Sequence, residues 1–167
     1  MSEDPAEAVQ RIRTPIGIQY SWSAGRGTTA HLEGLIEGRL VGARCPSCGN
    51  VVFPPRNGTC AKCGVLLGET VEVGPGGTIT TFCIVNVPFL GQKITPPYVA
   101  ATILLDGSDL GVQHLIQECD ATEVRMGMRV EPVWRDRSEW GPSLENITHF
   151  RPSGEPDAPF DSYAGHL

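Results

Sequence analysis

Two Cys-x-x-Cys-Gly motifs constrain the fold of this chain more than any other feature of its sequence. They occupy residues 45–49 and 60–64, and eleven residues separate Cys48 from Cys60. A gap of two residues turns both thiolates of a motif toward one ion, and the following glycine is suited to the positive φ that directs backbone N–H groups at the sulfurs. The spacing predicts a closed structural zinc site with four ligands: Cys45, Cys48, Cys60 and Cys63.

Other uses of paired cysteines fit this sequence less well. Structural disulfides belong to oxidising compartments, and the first ten residues lack both the basic region and the apolar region of a signal peptide. A redox Cys-x-x-Cys does not come as a matched pair of motifs. Iron stays open as an alternative to zinc, because thiolate ligands alone do not exclude it. No apolar run approaches 18 residues, so we expect a cytoplasmic protein with no membrane partner.

The distribution of charge bears on the kind of partner. The net charge is −6, yet residues 39–64 contain four basic and no acidic side chains, whereas residues 65–151 carry a net charge of −5. Proteins that bind nucleic acids normally show a basic field over the whole domain, because phosphate contacts dominate their affinity. The charge pattern disfavours a nucleic-acid partner and leaves a small basic region for an anionic ligand or an acidic protein surface.

The residues around the first motif predict a helix before it and one short strand on either side of it. At residues 28–37, Leu32, Leu35 and Ile36 recur on one face, Thr28 or Thr29 is a suitable N-cap, and Gly38 is a suitable stop. We expect His31 to face solvent on this helix. Strands are predicted at residues 40–43 and 51–53, so that residues 28–68 form a helix and zinc ribbon.

From residue 69 onward the pattern changes to alternating strands with Gly and Pro turns. The alternation predicts strands at residues 70–73, 78–87, 98–105, 110–117, 126–134 and 146–151. Residues 74–77 are typical of a hairpin turn or of a bend in one long strand. Cys83 is predicted to be a buried small side chain. Five or six short strands with wide loops favour an OB-type barrel at residues 69–152, with an SH3-like barrel or a small sandwich as alternatives. The predicted fold class is mainly β.

The two ends of the chain lie outside these units. Residues 1–27 form an arm whose apolar side chains alternate at Ile16, Ile18, Tyr20 and Trp22. Residues 153–167 form an acidic tail rich in Pro and Gly, which argues against a contribution to the core. For each segment we weigh two interpretations, disorder or ordering against a partner subunit.

Several stretches together resemble a known family. These are HLEGLIEGRLVGARCPSCG, VVFPPR and CAKCG, followed by GMRVEPVW and HFRP in the β-domain. The order is similar to the acyl-CoA-associated zinc-ribbon/OB-fold family, formerly a domain of unknown function, over residues 28–152. The resemblance implies a rubredoxin-like zinc ribbon followed by a five- to six-stranded OB-fold barrel, and it carries the four cysteine ligands over directly.

The same resemblance implies a function. Members resemble non-catalytic accessory subunits of thiolase-like enzymes, which carry out thiolytic, Claisen or retro-aldol chemistry on acyl-CoA substrates. Steroid side-chain or other lipid degradation is among the implied settings, in a heterotetramer or a larger complex. Structural zinc is the implied cofactor. For contacts with CoA in the complex, the basic candidates are Arg44, Arg56 and Lys93.

No catalytic site emerges from the sequence itself. Cys119 has acidic neighbours that raise a thiol pKa, and His114 alternates with apolar residues as core or cleft histidines do. His149 has no assigned role, and no Ser–His–Asp order or Gly-rich phosphate loop stands out. The competing hypotheses are a nucleic-acid-binding zinc-ribbon/OB module and an iron-loaded redox protein.

Overall fold

The computed structural model describes residues 16–55 and 58–167. No helix in this part of the chain is long and apolar enough to cross a membrane. Its helix and strands, in chain order, are α1 (Gly25–Glu37), β1 (Leu40–Arg44), β2 (Val51–Val52), β3 (Thr70–Val73), β4 (Gly77–Val85), β5 (Tyr98–Leu105), β6 (Gly111–Ile116), β7 (Arg129–Trp134) and β8 (Ile147–Pro152). The fold is mainly β, as the sequence predicts.

The first sheet has three antiparallel strands in the order β2-β1-β3. Ala43 of β1 lies opposite both Val52 of β2 and Thr70 of β3. The predicted strand at residues 70–73 is present, but it forms no hairpin with β4. Alternation along a strand shows that it has two different faces and does not show which strand it pairs with. The division of the chain at residue 69 stays a prediction.

Helix α1 begins three residues earlier than predicted and ends at the predicted stop. Gly38 has a φ of 78° and its N–H donates to the carbonyl of Leu35. The predicted N-cap at Thr28 or Thr29 is wrong, because both residues lie inside the helix and the N-cap position is Ala24, which makes no side-chain capping bond. The hydroxyl of Thr29 instead donates to the carbonyl of Gly25 at 2.7 Å. Gly34 packs against β1, since a Cβ atom there would lie 2.6 Å from Cγ2 of Val41. The helix therefore sits tightly on the first sheet.

The buried face of α1 differs from the predicted one. Leu35 is buried, but Ile36 is 49% exposed and His31 is buried. The prediction that His31 faces solvent is wrong. Its Nδ1 lies 2.9 Å from the carbonyl oxygen of Val41, and its ring packs edge-on against Phe53 at 5.1 Å. A polar side chain is stable in this position because the sheet supplies a hydrogen-bond acceptor.

The remaining strands form a closed barrel in the order β4-β5-β6-β8-β7. Neighbouring strands are antiparallel except β6 and β8, which are parallel and pair at Ile116 and Phe150. This is the five-stranded closure expected of an OB fold. Its interior is lined by alternating apolar side chains: Val99, Ala101, Ile103 and Leu105 from β5, Val112 and Ile116 from β6, and Ile147 and Phe150 from β8.

Strand β4 departs from the predicted alternation because its register changes within the strand. Ile79 pairs with Ile103 and Thr81 with Thr102, so Thr80 is the extra residue of a bulge. Residues 77–80 are buried and residues 81–84 are exposed. The prediction that Cys83 is buried is therefore wrong, because the bulge turns the second half of β4 away from the core.

The acidic tail packs on its own barrel. Tyr163 is 5% exposed, and the backbone N–H of Ala158 donates to the carbonyl of Gly127 at 2.8 Å. The guanidinium of Arg125 pairs with the carboxylate of Asp157 at 2.6 Å. The interpretation of the tail as disordered is wrong, since one aromatic anchor and backbone hydrogen bonds outweigh its polar composition. In the arm, Ile16, Ile18, Tyr20 and Trp22 are exposed, and residues 1–15 lie outside the described residues.

The ribbon and the barrel share one hydrophobic core. Leu35, Val51 and Phe53 belong to the same buried cluster as the barrel interior. Two backbone hydrogen-bonding groups of Val51 are satisfied by Asp109. The Val51 N–H donates to the Asp109 carboxylate at 2.7 Å, and the Asp109 N–H donates to the Val51 carbonyl at 2.9 Å. The position of the metal-binding motifs is thus tied directly to the barrel.

Candidate metal centre

The four cysteines of the two motifs converge on one point. Their Sγ atoms all lie within 4.8 Å of one another, and Cys48 and Cys60 Sγ are 3.9 Å apart. Cys45 and Cys60 are buried, while Cys48 and Cys63 are half-buried. A tetrahedral ion with metal–sulfur bonds of about 2.3 Å needs sulfurs about 3.8 Å apart. The thiols are therefore positioned to bind one metal ion with no protein ligand missing.

Both motifs use the same backbone turn. Gly49 N–H donates to the Cys45 carbonyl at 2.9 Å, and Gly64 N–H donates to the Cys60 carbonyl at 2.8 Å. The two glycines have φ values of 78° and 68°, as their positions in the sequence predict. The first cysteine of each motif is also fixed, because its N–H donates to the carbonyl of the residue five positions later. Cys45 bonds the carbonyl of Asn50, and Cys60 bonds the carbonyl of Val65. The sulfurs are thus oriented by the backbone before any ion binds.

The backbone also polarises the first pair of thiols. The N–H of Cys48 lowers the pKa of Cys45 to about 7, against the opposing effect of burial. The N–H of Asn50 lowers the pKa of Cys48, but burial and the other three thiols outweigh it and raise that pKa to about 11. Four thiols this close cannot all ionise without a cation between them. The arrangement is that of a metal site, and it has no open position for a substrate.

Beside this centre, Phe53 anchors the segment between the motifs. Phe53 is 1% exposed and contacts the ring of His31, which itself lies against the Val41 carbonyl. Asn146 connects the helix to the barrel, since its side-chain amide donates to the carbonyls of Leu35 at 2.9 Å and Gly141 at 2.8 Å. Sequence patterns did not single out Asn146, Asp109 or a buried role for His31. Each acts through a contact distant along the chain that leaves no periodic signal.

The basic candidates for CoA contacts are less well defined. Arg44 ends β1, and its guanidinium donates to the carbonyl of Gly49 at 3.1 Å, so it braces the first motif. Lys93 lies in the exposed loop between β4 and β5. Arg56 lies outside the described residues. Arg44 and Lys93 therefore belong to different units of the fold, and their role toward CoA stays a prediction.

The remaining candidate residues form no metal-binding group with each other. Among the His, Cys, Asp and Glu side chains of the described ranges, the four motif cysteines are the group whose ligand atoms lie close enough together to bind one ion. His149 Nε2 lies 3.0 Å from a carboxylate oxygen of Glu118, which is also bound by Arg151 at 3.3 Å. Burial raises the pKa of Cys119, and its neighbours Glu123 and Asp120 raise it further. This thiol is thus poorly suited to act as a nucleophile at neutral pH.

Comparison with family models matches both units of the chain. Residues 32–66 match the ChsH2 rubredoxin-like zinc ribbon domain, and residues 70–135 match the ChsH2 C-terminal OB-fold domain. The solved structure titled Ltp2-ChsH2(DUF35) aldolase is similar with a TM-score of 0.57 and 22% identity, over 80% of this chain and 99% of that chain. A DUF35-family protein of unknown function from Sulfolobus solfataricus is similar with a TM-score of 0.58 and 17% identity, over 78% and 87% of the two chains. These likenesses show the shared fold.

Two archaeal relatives are similar in sequence as well. A DUF35 domain-containing scaffold protein of Methanocaldococcus jannaschii is 36% identical over 103 residues, which cover 61% of this chain and 72% of the relative. The protein of the same description in Methanothermobacter thermautotrophicus is 34% identical over 105 residues, with 61% and 76% covered. The zinc ribbon, the OB barrel and these relatives agree with the family resemblance read from the sequence. The chain belongs to the DUF35 family.

Proposed function

We propose that this protein is a non-catalytic accessory subunit of a thiolase-like enzyme that cleaves or forms C–C bonds in acyl-CoA substrates. The observation that carries the proposal is the ribbon-and-barrel architecture around a metal site closed by four thiols. Such a site stabilises a fold and supplies no open coordination position for chemistry. The relatives described as scaffold proteins, and the shared fold with the DUF35 chain of an aldolase, support a subunit role.

The reaction class follows from the partner in this proposal. A thiolase-like chain supplies the nucleophile and the acid–base groups, and the reaction is thiolytic, Claisen or retro-aldol. Degradation of steroid side chains or other lipids provides such substrates. The accessory subunit holds the assembly together, in a heterotetramer or a larger complex. Its four-thiol site binds structural zinc, which fixes the ribbon against the barrel.

The experiment is co-expression with the thiolase-like chain encoded closest to this one. We expect the two chains to co-purify as a complex of defined stoichiometry, and acyl-CoA turnover to require both. Light scattering coupled to gel filtration measures the stoichiometry, and a thiol-release or carbonyl-release assay measures turnover. A monomer that leaves the activity of the thiolase-like chain unchanged would contradict the proposal.

The proposal also assigns Arg44, Arg56 and Lys93 to contacts with the CoA moiety. Alanine at each position should raise the KM of the complex for its acyl-CoA substrate about tenfold or more, because a charged hydrogen bond to phosphate contributes about 1.5–3 kcal/mol. Lys62→Ala is the matched control, since Lys62 is an exposed basic residue of the second motif. An unchanged KM in all three variants would remove these residues from the proposal and leave the subunit role standing.

A nucleic-acid-binding module is the alternative, since zinc ribbons and OB barrels also occur in proteins that bind single strands. The net charge of −5 over residues 65–151 argues against it. Gel shifts with single-stranded oligonucleotides at micromolar protein should show no salt-dependent complex. A complex whose affinity falls steeply with salt would favour the alternative.

A further inference from the structure

Half of strand β4 has a free edge. On its β7 side, the pairing covers Gly77 and Thr78, and hydrogen bonds of Ile79 to Gly127 and Met128 extend it by one residue. After the bulge at Thr80, residues 81–85 pair with β5 alone among the described residues. The barrel is therefore closed at one end of β4 and open along the other. Backbone N–H and C=O groups along an open edge are available to another extended chain.

The side chains of this edge are apolar and lack the usual protection. Phe82 is 36% exposed, Ile84 is 37% exposed, and the thiol between them, Cys83, is exposed. Residues 81–87 contain no Lys, no Pro and no acidic residue. Soluble proteins normally protect an open edge with charges or proline, because an apolar edge pairs with other chains. An apolar edge without such protection is therefore available for pairing with another chain.

The loop after β4 extends the same surface. Its four exposed apolar side chains are Val87 (75%), Phe89 (62%), Leu90 (97%) and Ile94 (37%). Together with residues 81–85 they form what we name the apolar edge surface. Six large side chains with these exposures present roughly 600 Å², which approaches the 800 Å² or so that each partner buries in a stable complex. This is at the upper end of the patches that monomers expose.

The distribution of charge around the barrel singles out the same surface. Residues 77–105 contain one charged side chain, Lys93, whereas residues 106–151 contain fourteen. Protein interfaces are depleted of charge at their centres. A lipid surface or a nucleic acid would instead require basic side chains around the patch, and neither satisfies the backbone groups of a strand edge. The occupant that matches is an extended polypeptide with apolar side chains.

We propose that an extended segment of the partner subunit pairs with residues 81–85 of β4. An apolar surface of the partner subunit beside that segment covers the loop at residues 86–97. This inference rests on the proposed function and specifies how the two subunits meet. Main-chain hydrogen bonds supply a strand-to-strand contact, and Phe82, Ile84 and Leu90 supply the apolar contact. Lys93 then lies at the rim of the interface.

Hydrogen–deuterium exchange on the complex with the thiolase-like chain tests the backbone contact. Amides of residues 81–85 that do not bond to β5 should exchange rapidly in the free subunit and slow at least tenfold in the complex. Cys83 should react with N-ethylmaleimide in the free subunit and be protected in the complex, as peptide mass mapping reports. A complex that forms without either protection would overturn this inference and leave the proposed function intact. Failure to form any complex would overturn both.

Ile84→Lys tests the side-chain contact, with Ile36→Lys as the matched control on helix α1. Ile84→Lys should weaken the complex at least tenfold, and Ile36→Lys should change the affinity less than twofold. Equal effects of the two substitutions would contradict the inference. Gel filtration of the free subunit provides the last check. A homodimer in which residues 81–85 are protected from hydrogen exchange would contradict the inference, because a second copy of this chain would then occupy the edge.

Discussion

Single polar side chains hold the two units of this protein together. Asn146 is 3% exposed, and its amide bonds the helix through the Leu35 carbonyl and the barrel loop through Gly141. Its carbonyl oxygen accepts the Gly141 N–H at 3.0 Å. Every polar atom of the side chain is thus satisfied in a buried position. Substitution of such a residue lowers the free energy of unfolding by more than its small size indicates, because its buried partners are left without hydrogen bonds.

Asn146→Ala should lower the free energy of unfolding by about 2 kcal/mol, since it leaves buried backbone groups unpaired. Urea denaturation followed by far-UV circular dichroism measures the change. Asn86→Ala is the control, because the Asn86 side chain is exposed and, within residues 16–55 and 58–167, bonds only the nearby Ile84 carbonyl, at 3.4 Å. A loss below 0.5 kcal/mol, roughly the scale of a surface substitution, would show that the contact does not stabilise the fold.

His114 makes the stability of the barrel depend on pH. Burial lowers the pKa of His114 below its usual value, and the nearby His149 lowers it further. A lowered pKa means that the fold prefers the neutral ring. The contribution of the neutral His114 ring to the free energy of unfolding is therefore fully present above the unfolded-state pKa of about 6.5. This contribution is lost as the pH falls from there toward the folded-state pKa.

The free energy of unfolding should fall between pH 6.5 and pH 5.5, and His114→Gln should flatten this slope because glutamine does not titrate. Urea titrations at half-unit pH steps provide the measurement. His166→Gln is the control, because His166 is an exposed residue of the tail, and this variant should retain the wild-type slope. Identical slopes in the wild type and in His114→Gln would refute the assignment.

At the scale of elements, we expect the zinc ribbon to depend on its metal more than on its own packing. The strand β2 has two residues, and among the described residues of the segment 45–64 the buried apolar side chains other than the cysteines are Val51, Val52, Phe53 and Pro55. Small units of this kind fold when the metal binds, because the binding free energy replaces a hydrophobic core. Loss of one ligand should therefore affect the whole ribbon.

Cys48→Ser should abolish stoichiometric zinc and disorder the first 65 residues, because three thiolates no longer close the site. Metal analysis and backbone NMR spectra provide the measurements, and Cys119→Ser is the matched control. Unchanged metal content and thermal stability in Cys48→Ser would disprove structural zinc. The purified protein should also be colourless, whereas a red protein would show that the site binds iron.

The tail contributes to the barrel through one aromatic side chain. Tyr163→Ala should lower the free energy of unfolding by about 3 kcal/mol, since truncation of a buried aromatic residue typically costs 3–5 kcal/mol and the tail can partly collapse. Leu167→Ala is the control, because Leu167 is 59% exposed. Equal stability of both variants in thermal denaturation would mean that the tail does not stabilise the barrel.

At the scale of the whole molecule, the shared core predicts cooperative unfolding. The ribbon and the barrel contribute to one buried cluster, and Asp109 bonds both backbone groups of Val51. Units that share a core unfold together. Metal removal should therefore weaken the barrel as well as the ribbon, although no ligand comes from the barrel.

Calorimetry should show one transition for the zinc-loaded protein, and Asp109→Ala should separate zinc release from barrel unfolding. Release of zinc is followed with a chromogenic chelator, and barrel unfolding by the fluorescence of Trp134 and Trp140. Asp120→Ala is the control, since the Asp120 carboxylate bonds only Thr122 in the described structure. If the two signals already separate in the wild type, the units are independent.

The sequence by itself determined which four cysteines come together, the positions of β3 and β5 and the glycine turns of the motifs. These are local properties, because ligand spacing, alternation and positive φ depend on residues close together in the chain. The tertiary structure alone decided that β3 pairs with β1, that Thr80 bulges and exposes Cys83, and that Tyr163 packs on the barrel. Each of these depends on contacts between residues distant in sequence, where a change of one residue in register exchanges the buried and exposed faces of a strand.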